Sequence, residues 1–394
     1  MAELLEVIDR IRAEDAGVKK LFTPADGVGV RGLSVRMRAR NPQYMAKLAE
    51  TARFMADLYT GKRPAHHLQE ALTTDDFPIL FGDVLDRQLL ANYREAPYSW
   101  NTIVRRRRVR DFRTVKRFFV DGGDGTLPEV GRQEEYPETK LDDGKYEYSV
   151  TKRGRRMPFA WETMVNDDLD ALNDVPERFG KAARRSEEKE VTELFIDANG
   201  PHASFFTGGN NNLIPSNPVL STNALQTGLI TLAAQKDAGG EPIVIEAVTL
   251  WVPPALEITA MNIVNALQLE LNEAGGSTNT KLITANWVKN RVKVSVGHYI
   301  PIVAATANGA TTWMLFADPE NSGRPAGEIG FLRGHEEPEI FLKAPNAMRV
   351  GSGGQVDPMA GDFDTDSINY KVRHVMGSTR MDPKMAVASN GSGA

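Results

Sequence analysis

Residues 101–150 carry so much charge, sorted by sign along the chain, that they have little chance of building a core of their own. Residues 101–120 hold eight bases (Arg105, Arg106, Arg107, Arg108, Arg110, Arg113, Lys116, Arg117) and one acid, Asp111, a net charge of +7. Residues 121–150 hold nine acids and three bases, net -6, and "TKRGRR" then turns positive again. Within these blocks "FRTVKRFFV" and "YEYSVTKRGRRMPFAW" alternate as strands do, with Gly- and Pro-rich turns between them. An extended two-stranded loop charged oppositely at its two ends has to lie on something else. The expectation is a neighbouring copy of the same chain.

The basic run alone suggests a grip on nucleic acid, but a protein devoted to phosphates carries a basic surplus over a whole face. This chain has a formal net charge of -5, so its bases are balanced internally. Its 394 residues, 41% of them apolar, suffice for two or three compact domains. It has no cysteine, which excludes disulfides, zinc fingers, thiol proteases and iron–sulfur clusters. Glu3, Glu6 and Asp9 stand where a secretion signal needs a basic start and an apolar core. No apolar run approaches the roughly 18 residues of a membrane span, so no membrane partner is expected.

The rest of the chain reads as alternating helical and strand-rich pieces. Residues 1–72 repeat apolar side chains at helical spacing and form a helical N-terminal segment. "TTDDFPILFGDVLDRQLLANYREAP" is a turn and then a helix. "NDVPERFGKAARRSEEKEVTELFIDANG" carries the longest helical signal, with Asp174 as cap, Glu177 as its capping-box partner and Pro176 in the first turn. A helix of about 24 residues there is roughly 36 Å long, a spine. Beyond the break "TGGNNNLIPSNP", the strands "IVIEAVTLWV", "RVKVSVGHY" and "TTWMLFAD" alternate with a helix over "PPALEITAMNIVNALQLELNEAGG". "DSINYKVRHVMGSTRMDPKMAVAS" reads as strand, turn, strand.

Motifs for chemistry are near misses. "GGDGTLPEVG" has Pro128 where a dinucleotide fingerprint needs its third glycine, and no Lys-Ser or Lys-Thr follows. "DFDTDS" imitates the start of a calcium loop, but Ser367 replaces its glycine and Arg373 its bidentate glutamate. His335 is followed by Glu336, Glu337 and Glu339, yet Pro338 occupies the region where a second zinc-binding His would sit. No catalytic residue, cofactor or metal is expected.

In order, "LPEVGRQEEYPETK", "YEYSVTKRGRRMPFAWETMVNDDLDAL", "ELFIDANG", "VTLWVPPALE", "WMLFADP", "GRPAGEIGFLRGHEEPEIF" and "DFDTDSINYKVRHVMG" resemble the major capsid proteins of tailed bacteriophages with the Hong Kong-97-type fold. The similarity spans about residues 75–390. It implies an α+β fold, with the helical segment 1–72, an N-arm over 73–110, an extended β-hairpin loop over 111–160 and a peripheral domain on the spine helix over 161–212. An axial α/β domain over 213–350 follows, and 351–394 supply the return strands of the peripheral domain and a C-terminal tail. Many members lose an N-terminal scaffolding segment to a protease. Either residues 1–72 stay as an arm inside the shell or the chain is unprocessed, and retention is the expectation.

The function the resemblance implies is structural. The chain would self-assemble into hexamers and pentamers of an icosahedral head enclosing double-stranded DNA, in a virion built in the host cytoplasm. Portal, scaffold and decoration proteins would be its other partners, and the packaged DNA would be touched without sequence preference. The charge blocks then become intersubunit contacts, with Glu134, Glu135 and Glu138 facing Arg105, Arg106, Arg107 and Arg108 or Arg153, Arg155 and Arg156 of neighbours. The alternative is an encapsulin-type nanocompartment shell around an enzyme cargo.

Overall fold

A computed structural model gives the fold. It describes residues 54, 77–95, 98–121, 130, 142–160, 170–237, 240–245, 247–266, 268–272, 281–289, 291–320, 324–343, 348–349, 354–355 and 363–393. The expected helical segment 1–72 lies outside these residues except for Phe54, as do Glu134, Glu135 and Glu138.

The first half of the chain runs through α1 (Phe77–Glu95), β1 (Arg105–Val109), β2 (Val115–Asp121), β3 (Asp142–Tyr148), β4 (Thr151–Ala160), α2 (Asp170–Phe195), β5 (Ile196–Asp197), β6 (Gly200–Pro201) and α3 (Thr222–Ala233). Then come β7 (Val248–Val252), α4 (Glu257–Asn265), β8 (Gln268–Asn272), β9 (Lys281–Ala285), β10 (Val292–Val296), α5 (Ile300–Val303) and β11 (Trp313–Ala317). The remainder holds β12 (Gly327–Leu332), β13 (Glu339–Leu342), β14 (Met348–Arg349), β15 (Gly354–Gln355), β16 (Ser367–Arg380) and β17 (Ala386–Ser389). Helices and both parallel and antiparallel strand pairs are present, an α+β chain. It divides into two compact units, one of residues 98–151, 185–333 and 376–394, the other of residues 1–97, 152–184 and 334–375.

The first of these units is built on the sheet β10-β7-β11-β17. Its two central strands, β7 and β11, are near-continuous apolar runs because both of their faces are covered. Val248, Leu250, Val252, Trp313, Leu315 and Val387 face Leu225, Leu229 and Leu232 of α3 and Ala260 and Val264 of α4. Trp251, Met314, Phe316, Ala386 and Ala388 face the opposite way, onto Phe195, Phe205, Trp100, Ile329 and Phe331. Period-two alternation thus separates two apolar layers rather than core from solvent. In the same unit β1 pairs in parallel with β12, from Arg105↔Glu328 to Val109↔Leu332. The end of β16 pairs antiparallel with the other edge of β12. β2 and β3 form a separate antiparallel ribbon, from Val115↔Tyr148 to Asp121↔Asp142.

In the second unit the start of β16 pairs with β13, from Glu339↔Arg373 to Leu342↔Tyr370, and with β4. Leu85, Leu89 and Tyr93 of α1 are buried. A Cβ at Gly180 of α2 would lie 2.8 Å from the Leu89 carbonyl oxygen, so the missing side chain lets the two helix backbones touch. Arg184 stacks its guanidinium 3.9 Å from the Tyr93 ring centroid and donates from Nε to the Tyr93 carbonyl.

Several elements differ from the reading of the sequence. The spine helix begins at Asp170, and Pro176 lies inside it. Proline costs that turn one ladder bond, but buried Val175 and Phe179 hold it by packing. The helix expected over 253–276 is nine residues long, since Ala266 is extended (ψ 143°) and Gln268–Asn272 alternates at strand period and pairs with β9. Helix α3 was not foreseen, although Ser221 caps it by accepting from the Ala224 N–H.

Candidate assembly surfaces

The arginine run forms β1, which has a paired strand on one side only among the described residues. Arg105 is half-buried, and its Nε donates to the Pro319 carbonyl at 2.8 Å. Burial, then the charge of Arg107, lower its pKa. Arg106 lays its guanidinium 4.9 Å from the Phe331 ring centroid, an intramolecular cation–π contact. Arg106, Arg107 and Arg108 are exposed.

Arg117, further along the run, has an acid in its own chain. Its Nε donates to Glu328 Oε1 at 2.8 Å, and the Tyr148 hydroxyl donates to the same oxygen at 2.6 Å. Glu328 lies on β12 and is 3% exposed. Burial works against the Arg117 charge, but the hydrogen bond and charge of Glu328 outweigh it and raise the guanidinium pKa. Burial, reinforced by the carboxylate, also raises the Tyr148 pKa and keeps the phenol protonated as a donor. Glu328 was not singled out from sequence. Its signal was a lone carboxylate inside an otherwise apolar, glycine-containing strand, where a charge survives only with partners.

The second basic block forms β4, where Lys152, Arg153, Arg155 and Arg156 are all exposed. Strand geometry puts Arg153 and Arg155 on one face and Lys152 and Arg156 on the other. Both faces of this strand therefore present positive charge, with no acid within Thr151–Ala160. The β2–β3 ribbon adds mixed charge: Glu147 accepts from Lys145 at 2.9 Å and lies 3.9 Å from Lys116. Phe118, on the same side, is 70% exposed.

Two carboxylates of the spine helix are buried instead of displayed. Glu188 accepts from the Ser99 N–H, from Ser99 Oγ at 3.0 Å and from the Trp100 N–H at 3.3 Å. Glu187 accepts from the Trp100 indole at 3.0 Å. Burial raises the Glu188 pKa, the Ser99 and Trp100 donors oppose it, and the neighbouring Glu187 charge adds to it. Neither was singled out from the sequence; the signal for Glu187 was the row Phe179, Ala183, Glu187, Val191 and Phe195, spaced every fourth residue, and Glu188 follows it directly.

The groups around His335 are tied to structure. His335 Nδ1 lies 2.9 Å from Glu339 Oε1, whose other oxygen takes Arg373 at 2.6 Å, while Glu337 pairs with Arg94 at 2.8 Å. Asp364 and Asp366 of the near-miss calcium loop form an exposed turn before β16. Among the described residues no helix is long and apolar enough to cross a membrane.

Comparison with solved structures finds loose likenesses. One is "Microbacterium phage Oxtober96", 10% identical, TM-score 0.44, covering 72% of this chain and 85% of that one. Another is "Capsid of Ralstonia phage GP4", 10% identical, TM-score 0.46, covering 73% and 87%. A third is "Crystal structure of virus-like particle from Pyrococcus furiosus", 12% identical, TM-score 0.40, covering 78% and 99%. Likenesses this distant carry no argument by themselves. No curated protein matches the sequence. The family model described as "Phage capsid protein", by contrast, matches residues 145–389. That is more than half of the chain, and it does not favour the nanocompartment alternative. The match spans β4, the spine helix, most of both apolar layers and the carboxylate on β12, so the chain belongs to the phage capsid protein family and is a structural shell protein.

Proposed function

We propose that copies of this chain close as hexamers and pentamers into an icosahedral head around double-stranded DNA, and that the two basic strands are intersubunit contacts. The carrying observation is β4: a strand exposed on both faces, with four bases and no acid in its ten residues. Such a strand suits acids supplied from elsewhere, and the block containing Glu134, Glu135 and Glu138 has the complementary sign. Rim pairs of this kind are each worth about 0–1 kcal/mol, so they set register and orientation more than affinity. A shell subunit buries more than about 2,000 Å² in total, and shape supplies the rest.

Arg105, Arg106 and Arg117 have partners within their own chain, so a test on them would confound folding with assembly. The variant is Arg155→Glu with Arg156→Glu, two exposed bases of β4. Electron microscopy should show loss of closed shells at unchanged circular dichroism, and partial recovery when Glu134→Lys, Glu135→Lys and Glu138→Lys are added. Normal shells from the Arg155→Glu, Arg156→Glu variant would overturn the pairing. Portal, scaffold and decoration proteins, and non-specific contact with the packaged DNA, complete the proposed partners. The virion, assembled in the host cytoplasm, is the proposed location.

A further inference from the structure

Glu328 and its two donors sit at the root of the β2–β3 ribbon. Val115↔Tyr148 is the first pair of that ribbon, and Arg117 lies two residues along β2. Both donate to one oxygen of a carboxylate that is almost wholly buried on β12. The neighbouring surface of β12 is shaped for the phenol. A Cβ at Gly330 would lie 2.6 Å from the Tyr148 hydroxyl and 2.8 Å from a Val109 methyl, so only a glycine leaves room for the ring. A second contact follows further along, where the Arg324 guanidinium lies 4.9 Å from the Phe119 ring centroid. Arg324 itself is 3.7 Å from Asp382. Beyond this the ribbon has no strand partner except itself among the described residues.

A ribbon of two strands bends easily unless its base is held, because it has no third strand or covering helix. One donor would leave it free to pivot. Two donors from opposite strands, converging on a fixed oxygen, remove that freedom. We infer that Glu328 is a positioning residue that fixes the angle at which the β2–β3 ribbon leaves its sheet, and with it the place where the ribbon meets a second copy of this chain. The inference rests on the shell reading. It adds that angular spread at this root, and not binding strength alone, governs how uniform the assembled particles are.

The experiment compares the full-length wild-type chain with Tyr148→Phe and Glu328→Gln. Tyr148→Phe removes one hydroxyl and keeps the ring in its socket, so it tests the clamp even if Glu328→Gln folds poorly. Hydrogen–deuterium exchange on the unassembled chain should show the amides of Val115–Asp121 and Asp142–Tyr148 exchanging about ten-fold faster in the variants, with α3 and β7 unchanged. Electron microscopy should show a distribution of particle diameters about twice as wide as in wild type, at equal folded fraction by circular dichroism. A role confined to stability would lower the melting temperature and leave the diameters alone. Unchanged ribbon exchange, or unchanged diameters beside faster exchange, overturns the inference while wild-type shells still stand. A wild-type chain that closes no shells at low or high salt overturns the shell reading and this inference with it.

Discussion

Glu188 shows what a carboxylate does when it is buried to hold a backbone in place. Burial lifts its pKa above the ordinary 4.5 while the Ser99 and Trp100 donors pull the other way. The native state therefore keeps the proton to higher pH than the unfolded chain does. Stability linked to this group is fully present below the ordinary glutamate value and declines as pH rises through the raised native one. Glu188→Gln keeps an acceptor for both N–H groups and cannot ionise. Urea midpoints of the wild type should fall relative to those of Glu188→Gln over that window, and parallel curves would refute the assignment. Glu188→Ala strands the donors and should cost about 1–3 kcal/mol at any pH, read by the same titration. This residue could have been found in advance, because it neighbours a seam position of an obvious helix. Glu328 could be suspected but not resolved, since its partners lie 180 and 211 residues away. No local pattern reports such a separation.

Elements were legible wherever one face meets solvent and the period shows. Strand β2, helix α1 and the body of α2 follow their alternation or helical spacing. Strand β1 does not, because four consecutive arginines have no apolar period and the strand exists by backbone pairing to a buried neighbour. The run after Pro254 was read as one helix because its apolar residues fit both periods until β9 decides for strand at Gln268. Glycines mark where elements approach most closely. A Cβ at Gly377 of β16 would sit 2.2 Å from the Ser149 carbonyl oxygen, and backbone cannot swing aside as a side chain can. Gly377→Ala should therefore destabilise by about 1–3 kcal/mol or more by chemical denaturation. Gly208→Ala, where nothing lies within 4 Å, should stay within about 0.5 kcal/mol. Equal effects at the two positions would show that the close approach is not what matters.

At the scale of the molecule, the order of seven segments identified the family, while neither composition nor any single motif did. What the sequence left open was which charges serve the fold and which the surface, because sign and spacing do not reveal burial. Arg117 and Arg105 turned inward, and the bases of β4 stayed exposed. If those exposed bases act between copies, the yield of closed particles should fall steeply between low and high salt, since the Debye length shrinks from about 30 Å at 0.01 M to about 3 Å at 1 M. Light scattering across a salt series would measure it, and a flat yield would assign assembly to shape alone. The clamp at the ribbon root also has a consequence in time. Its acceptor lies 180 residues after Tyr148, where the ribbon ends, and synthesis proceeds at about 5–20 residues per second, so a growing chain spends on the order of 10–40 s with its ribbon made and unheld. If the clamp sets the ribbon's angle, a nascent subunit cannot present the ribbon in its finished direction during that interval, and docking among chains still on their ribosomes is delayed.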